Sequence, residues 1–204
     1  MNAQKYGMIG AILFTDPGDD GNITVANGYK AYPDGPARNP TAVQRGSVMN
    51  LALYPGDPTT PGYPSHDDSP RADRSRAVPE IPSLPISYED AIPILSTLDG
   101  HGVPGEGVNR PMWVGALNVT YSTGPSKAKI SMSNKMKDTY SDIWNTIGII
   151  NGTSPDEVVV IGNHRDAWMI GGAGDPNSGS AVMTELAKAF GKLQEAGWKP
   201  RRTM

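Results

Sequence analysis

At 204 residues the chain has room for one large domain or two small ones, and 18 basic against 21 acidic side chains leave no electrostatic footprint for nucleic acid or an anionic membrane. Cysteine is absent, which excludes disulfides and thiolate chemistry. Apolar residues make up 37% of the chain beside 24 Gly and 19 Pro, the composition of a loop-rich globular protein rather than a disordered one.

In chain order, the apolar run from Met8 to Phe14, closed by Asp16-Pro17-Gly18, predicts a buried strand and a turn. From Gly18 to Pro82 periodicity is weak, and Pro, Gly, Asp and Ser are frequent. A long irregular segment is expected there, with SHDDSPRADRSRAVPE (65–80) as an exposed excursion. Order returns at IPSLPISYEDAIPILSTLDG (81–100), read as a strand followed by a helix. Ser87 followed by Asp90 resembles a capping box. Ala91, Ile94, Leu95 and Leu98 then share a helical face, Pro93 predicts some distortion, and Gly100 is a stop.

Residues 101–111 read as a linker. Beyond it the strand candidates are Trp113 to Tyr121, Lys127 to Ser133 with Ala128, Ile130 and Met132 on one side, and Ile143 to Ile150, turned by Asn151-Gly152. Val158 to Gly162 is continuously apolar, as expected of a strand buried on both faces. A helix follows, with Val182, Leu186, Ala189, Phe190 and Leu193 on one face and Gly197 as its stop. Arg201 to Met204 begins a further strand. Strand, crossover helix and strand make a βαβ unit, so this half is expected to be α/β with a largely parallel centre.

The loop GNHRDAWMIGGAGDPNSG (162–179) joins that strand to that helix. In open α/β sheets, ligands bind beyond the carboxyl ends of the strands. His164 and Asp166 fall just past such an end, and Asp175 precedes the helix. His164-Arg165-Asp166 is not the kinase catalytic loop, because Ala167 and Gly171 stand where Leu and Asn are needed. The segment from Gly172 to Gly179 has neither dinucleotide-binding nor phosphate-loop spacing, and Ser178 is not in a nucleophile elbow. Two readings stay open on the residues alone. Imidazole and carboxylate suit zinc, with a nearby acid orienting the ring through its other nitrogen. Alternatively His164 bonds to backbone and Asp175 caps the helix. A cis Asp175-Pro176 bond is expected, bending the chain so that the carboxylate faces inward.

At GNHRDAW…GGAGDPNSGSAV…FGKLQEAGWKPRRT the chain resembles the glutamate carboxypeptidase and transferrin receptor-like family of di-zinc metallopeptidases. YKAYPDG (29–35), VQRGSVMNL (43–51), YPGDPTTPGYP (54–64) and IPSLPISYEDAIPIL (81–95) are similar, in the same order, to that family's protease-associated domain. The resemblance covers nearly the whole chain. It implies a mix of α/β and α+β folds: a partial, β-rich protease-associated domain over 1–105, missing its first strands, and the start of an α/β zinc-peptidase domain over 112–204. It further implies that His164 binds one zinc, that Asp175 bridges two zincs, and that Asp166 supports the zinc-bound histidine. Thr60 and Tyr63 match positions that give oxygens to a structural calcium. Ser47 stands where glutamate-selective members carry a substrate-binding Asn.

The implied activity is hydrolysis of peptide or N-acyl amino acid bonds by zinc-activated water, with a glutamate as general base. That glutamate and the remaining ligands follow Arg201-Arg202-Thr203 in the family, and Glu185 does not replace it. The chain alone is therefore expected to be inactive, a fragment of an exopeptidase. The alternative is a non-catalytic receptor-like interaction protein of the same fold, against which His164 and Asp175 are both kept. A homodimer is implied only for the complete protein. Asn22, Asn118 and Asn151 head N-x-[ST] sequons. With the family, they suggest the secretory pathway, a vacuolar lumen, or the cell surface of a membrane-anchored parent. No signal peptide follows Met1, and no apolar stretch nears the roughly 20 residues of a membrane span.

Overall fold

Two parallel strand pairs organise the chain, one in each of two compact units, Met1–Met136 and Lys137–Met204. The computed structural model describes residues 1–53, 55–109 and 113–204. Tyr54 of the YPGDP motif, and 110 and 111 of the expected linker, lie outside the described residues, as does 112. The architecture is mixed α/β with small parallel sheets.

In the first unit a short helix, α1 (Asn2–Lys5), precedes β1 (Ala11–Leu13), which pairs in parallel with β2 (Ser83–Pro85). The predicted strand is shortened to three residues and is not buried: Ile9 is 91% exposed and Leu13 46%. A two-stranded pair has no second layer to cover its faces, so an apolar run alone does not bury it. A 3-10 turn (Pro17–Asp20) follows, with Asp16 at its head accepting from the Gly18 amide. No helix or strand interrupts the described residues between Asp20 and Ser83, as expected of that segment. The excursion at 65–80 is mostly exposed, yet Ala77 within it is fully buried.

Helix α2 (Tyr88–Ser96) begins at Ser87, whose hydroxyl accepts from the Asp90 amide at 3.1 Å. Asp90 returns the contact by accepting from that hydroxyl rather than from the Ser87 amide, so half of the expected reciprocal box is rewired. A cap of this kind contributes about 1 kcal/mol. Pro93 removes one N–H from the ladder without ending the helix. The helix stops at Ser96, ahead of the expected Gly100, because Thr97 and Leu98 turn back to Ile94 and Leu95 in tighter i→i−3 bonds. Ala91 is buried, and Ile94, Leu95 and Leu98 are half-buried on the predicted face.

Trp113 to Tyr121 and Lys127 to Ser133 are not strands. The first is clipped to Asp16 instead. The Ala116 amide donates to Asp16 at 2.8 Å, the Tyr121 hydroxyl donates to the same carboxylate, and the Leu117 amide donates to the Tyr121 oxygen at 3.0 Å. Side chains thereby satisfy backbone donors that a ladder would otherwise serve. Burial and the bond to Asp16 push the Tyr121 phenol well above its ordinary range. Residues 101–105, read as linker, hydrogen-bond to 121–124: Gly105 to the Tyr121 carbonyl and Thr123 to the Val103 carbonyl. Among the described residues the buried apolar side chains of this unit are Ala37, Ala77 and Ala91, and the largest fully buried side chain is Ser87.

In the second unit β3 (Ser154–Val158) and β4 (Arg202–Thr203) run parallel, joined through α3 (Asn177–Glu195), so the expected βαβ order is present. Its first strand lies N-terminal to the expected Val158 to Gly162, and that apolar run is open: Val158 is 60% exposed and Val160 87%. Ile143 to Ile150 is not a strand either, although Ile150 and Met204 exchange both backbone bonds at 2.9 Å. β4 forms where it was expected. Helix α3 buries none of its residues, so the predicted apolar face from Val182 to Leu193 is solvent-facing or half-covered. Its end follows the glycine rule. Gly197, at φ +86°, lets its own amide reach the Gln194 carbonyl and the Trp198 amide the Leu193 carbonyl, and Trp198 stacks on Phe190 at 5.9 Å.

Candidate metal centre

The loop between β3 and α3 is shaped by its glycines and by Asn177. Gly171 and Gly172 take φ of +106° and +55°. A Cβ at Gly172 would come within 2.7 Å of the Asp175 carbonyl and 2.8 Å of Ala167 Cβ, so only glycine fits there. Asn177 then donates its amide nitrogen to the Gly171 carbonyl at 2.6 Å and its backbone N–H to Gly172 at 3.0 Å. These bonds fold the chain back before α3 begins. The Asp175-Pro176 bond is cis, as expected, but it does not turn the carboxylate inward: the Asp175 side chain stays largely exposed, because no covering layer packs on this loop.

This fold-back brings the three predicted residues together. His164 Nε2 lies 2.8 Å from Asp175 Oδ1, and His164 Nδ1 lies 3.2 Å from Asp166 Oδ1. The imidazole is thus held between two carboxylates on opposite sides of its ring. Asp175 does not cap α3: the cap position is Pro176, and no side chain caps this helix. The bland alternative of a capping aspartate and a backbone-bound histidine is therefore not what forms.

Exposure decides what such contacts are for. The side chains of His164, Asp166 and Asp175 are 51%, 90% and 78% exposed. Ion pairs this open contribute little to stability, with a median near 0–1 kcal/mol, so the arrangement is not a stability device. Neutral imidazole nitrogen and carboxylate oxygen are zinc donors in kind. They fall short in number: Asp166 faces the far nitrogen, and among the described residues no three His, Asp or Glu side chains converge to hold a metal. What fits is a half-set, one nitrogen and one carboxylate, with Asp166 placed to fix the ring.

Residues that the sequence did not single out hold this half-set. Asn163 donates its amide to the His164 carbonyl at 2.7 Å, the Pro176 carbonyl at 3.1 Å and the Ser180 hydroxyl at 3.2 Å. Arg165 donates to the Trp144 carbonyl at 3.1 Å. Gly179 lies under Asn163, where a Cβ would overlap the Asn163 amide. A glycine in the first turn of a helix is a poor helix former, and that was the available signal.

The remaining predicted positions lie in the first unit. Thr60 is buried and Tyr63 is 38% exposed, with the Tyr63 amide 3.4 Å from the Thr60 carbonyl and its hydroxyl donating to the Pro70 carbonyl at 2.7 Å. Next to them Asp57 accepts from the Thr59 hydroxyl and amide, the Ser65 hydroxyl and the Arg71 guanidinium, all within 2.8 Å. Those bonds, the Thr59 hydroxyl foremost, lower its carboxyl to about 2. The exposed Ser47 hydroxyl accepts from the Met49 amide at 3.1 Å. Asn22, Asn118 and Asn151 are all exposed.

The loop lies within the part of the chain that a family comparison matches. Residues 145–204 match the family model described as "Peptidase family M28", whose members are generally zinc-dependent. A "Probable glutamate carboxypeptidase" of Arthroderma benhamiae is 74% identical over 100% of this chain and 28% of its own length. The chain belongs to the glutamate carboxypeptidase family. "Vacuolar protein sorting-associated protein 70" of Saccharomyces cerevisiae is 41% identical over 98% of the chain and 24% of its own length. "Aminopeptidase NAALADL1" of Mus musculus is 38% identical over 100% of the chain and 28% of its own length. The chain thus spans about a quarter of these relatives. No helix among the described residues is long and apolar enough to cross a membrane.

Proposed function

We propose that the chain is part of a zinc-dependent exopeptidase that hydrolyses peptide or N-acyl amino acid bonds. The single observation that carries this reading is the 2.8 Å approach of His164 Nε2 to Asp175 Oδ1 in a glycine-shaped, water-exposed loop ahead of α3. His164 would give a nitrogen and Asp175 a carboxylate to bound zinc, while Asp166 holds the imidazole from its other side. Bound zinc would supply Lewis-acid polarisation and a nucleophilic water at neutral pH. This chain's residues orient those donors and leave their outer side open to a substrate.

Residues 1–105 are assigned to a protease-associated domain and 112–204 to the peptidase domain, on the strength of the similarity to carboxypeptidase relatives along the full chain. Thr60 and Tyr63 are assigned to a calcium site. Ser47 marks a departure from glutamate selectivity, so the substrate class stays broad. Glu185 forms a 2.7 Å surface pair with Lys188 and is no general base. The vacuolar sorting relative and the three exposed sequons support passage through the secretory pathway.

Zinc titration followed by NMR of the histidine rings tests the reading. His164 should respond and saturate, while His66 and His101 should not, and Asp175→Ala should weaken the response at least tenfold. Silence at His164 in millimolar zinc would favour the receptor-like alternative.

A further inference from the structure

We infer that Asn163 is a positioning residue that sets the approach of His164 to Asp175, and that Gly179 is glycine to make room for it. The inference rests on the assignment of His164 and Asp175 as a donor pair. Its own evidence is separate from that assignment. The loop from His164 to Asp175 has a neck formed by the residues just outside it, Asn163 on one side and Pro176 on the other. The Asn163 amide nitrogen closes that neck, 2.7 Å from the His164 carbonyl and 3.1 Å from the Pro176 carbonyl. A third acceptor, the Ser180 hydroxyl at 3.2 Å, lies one turn into α3. An amide NH2 has two protons and no charge, so it can serve several carbonyls at once where a carboxylate or a hydroxyl could not.

Closing a flexible segment at its neck removes most of the freedom of its ends. The donor pair sits one residue inside this closure, on both sides. The side chain also fills a place that exists only because residue 179 has no Cβ: one built there would overlap the Asn163 oxygen and lie within 3.1 Å of its nitrogen. Glycine in the third position of α3 is a poor choice for a helix, and this close approach accounts for it. Ser178 and Asn177, by contrast, bond backward to Gly174 and Gly171 and shape the loop without crossing the neck.

The test is a double-mutant cycle on the full chain, read without metal. Ring nitrogen NMR of His164 reports its tautomer balance, which Asp175 at Nε2 and Asp166 at Nδ1 pull in opposite directions. Asn163→Ala should loosen the Asp175 contact and shift the balance toward the Nδ1-protonated form that Asp166 favours, while the α3 amides beyond the first turn keep their shifts. Asn163→Asp, of the same shape, should do so at least as strongly, because a carboxylate would face two carbonyls. Gly179→Ala should copy Asn163→Ala in the native background and do nothing further in the Asn163→Ala background. Its effect on melting should also reverse sign, destabilising in the first and stabilising in the second.

Additive effects of the two substitutions would overturn the proposal, as would an unchanged His164 ring in Asn163→Ala. General loss of α3 amide protection in Asn163→Ala would also overturn it, because the residue would then be holding the helix and not the pair. With zinc added, half-saturation at His164 should rise about tenfold in Asn163→Ala, the size usual for groups that orient a ligand. If the native chain shows no zinc response but the metal-free cycle holds, the peptidase reading fails and the positioning role stands.

Discussion

Three acids of the first unit and two of the second are used in opposite ways. In the first, Asp16, Asp20 and Asp57 are spent on structure: each carboxylate is surrounded by amides, hydroxyls or a guanidinium, and the Arg38–Asp20 pair is bidentate at 2.7 Å. These clips hold long irregular segments around a core that, among the described residues, is three alanines. In the second, Asp166 and Asp175 are exposed, and their contact is with an imidazole. Irregular backbone needs its donors satisfied from within, and carboxylates do this cheaply. A site needs the reverse, acids whose outer lone pairs stay open. Burial of large apolar side chains does not distinguish the units, since neither achieves it among the described residues.

The contrast can be broken most severely at Asp16. Asp16→Ala removes the acceptor for Gly18, Ala116 and Tyr121 together and should cost about 2–3 kcal/mol in urea unfolding. Amide exchange at Ala116 should accelerate while that of α3 is unchanged. Equal acceleration in both units would refute the division of labour. A smaller effect is expected at Asp57, in pH. Its carboxyl is lowered to about 2, against roughly 3.9 unfolded, so its contribution is complete above about pH 5 and is lost as pH falls through 2. Asp57→Asn should be destabilised by up to about 2 kcal/mol at pH 6, and the gap to the native chain should close on acidification.

In the second unit the leverage lies in backbone shape. Gly197→Ala places a Cβ at φ +86° and should cost about 1 kcal/mol, read as earlier melting of α3. The least effect is predicted for Glu185→Ala. It breaks only the exposed pair with Lys188, and the change in stability should stay within about 0.5 kcal/mol.

What could be read in advance was local. Ser87 with Asp90 and Gly197 past the last turn of α3 are decided by bonds three to five residues apart, and both formed, while the contact of His164 with Asp175 spans eleven. What could not be read was pairing. Alternation at Ala128, Ile130 and Met132 describes a strand only where a neighbour takes its hydrogen bonds, and that segment has none of the ladder bonds. Trp113 to Tyr121 looked like a strand because nothing in its spacing reveals a carboxylate roughly a hundred residues earlier. The apolar run at Val158 to Gly162 is strand-like in composition yet open to water, since burial is a property of the covering layer. Within the loop, His164, Asp166 and Asp175 stood out by type and place, though the residues alone left a metal site and a capped helix both open. Asn163 did not stand out, because an asparagine in a loop has no distinctive spacing, and only the glycine in the first turn of α3 hinted at it.

The reversal at Gly197 has a practical outcome. It lays the indole of Trp198 against the ring of Phe190, near-parallel at 16°, eight residues back along the chain. The indole N–H signal of Trp198, one of four tryptophans that NMR can resolve, consequently reports whether the last turns of the helix are wound, with no need to disturb the histidine loop at the opposite end.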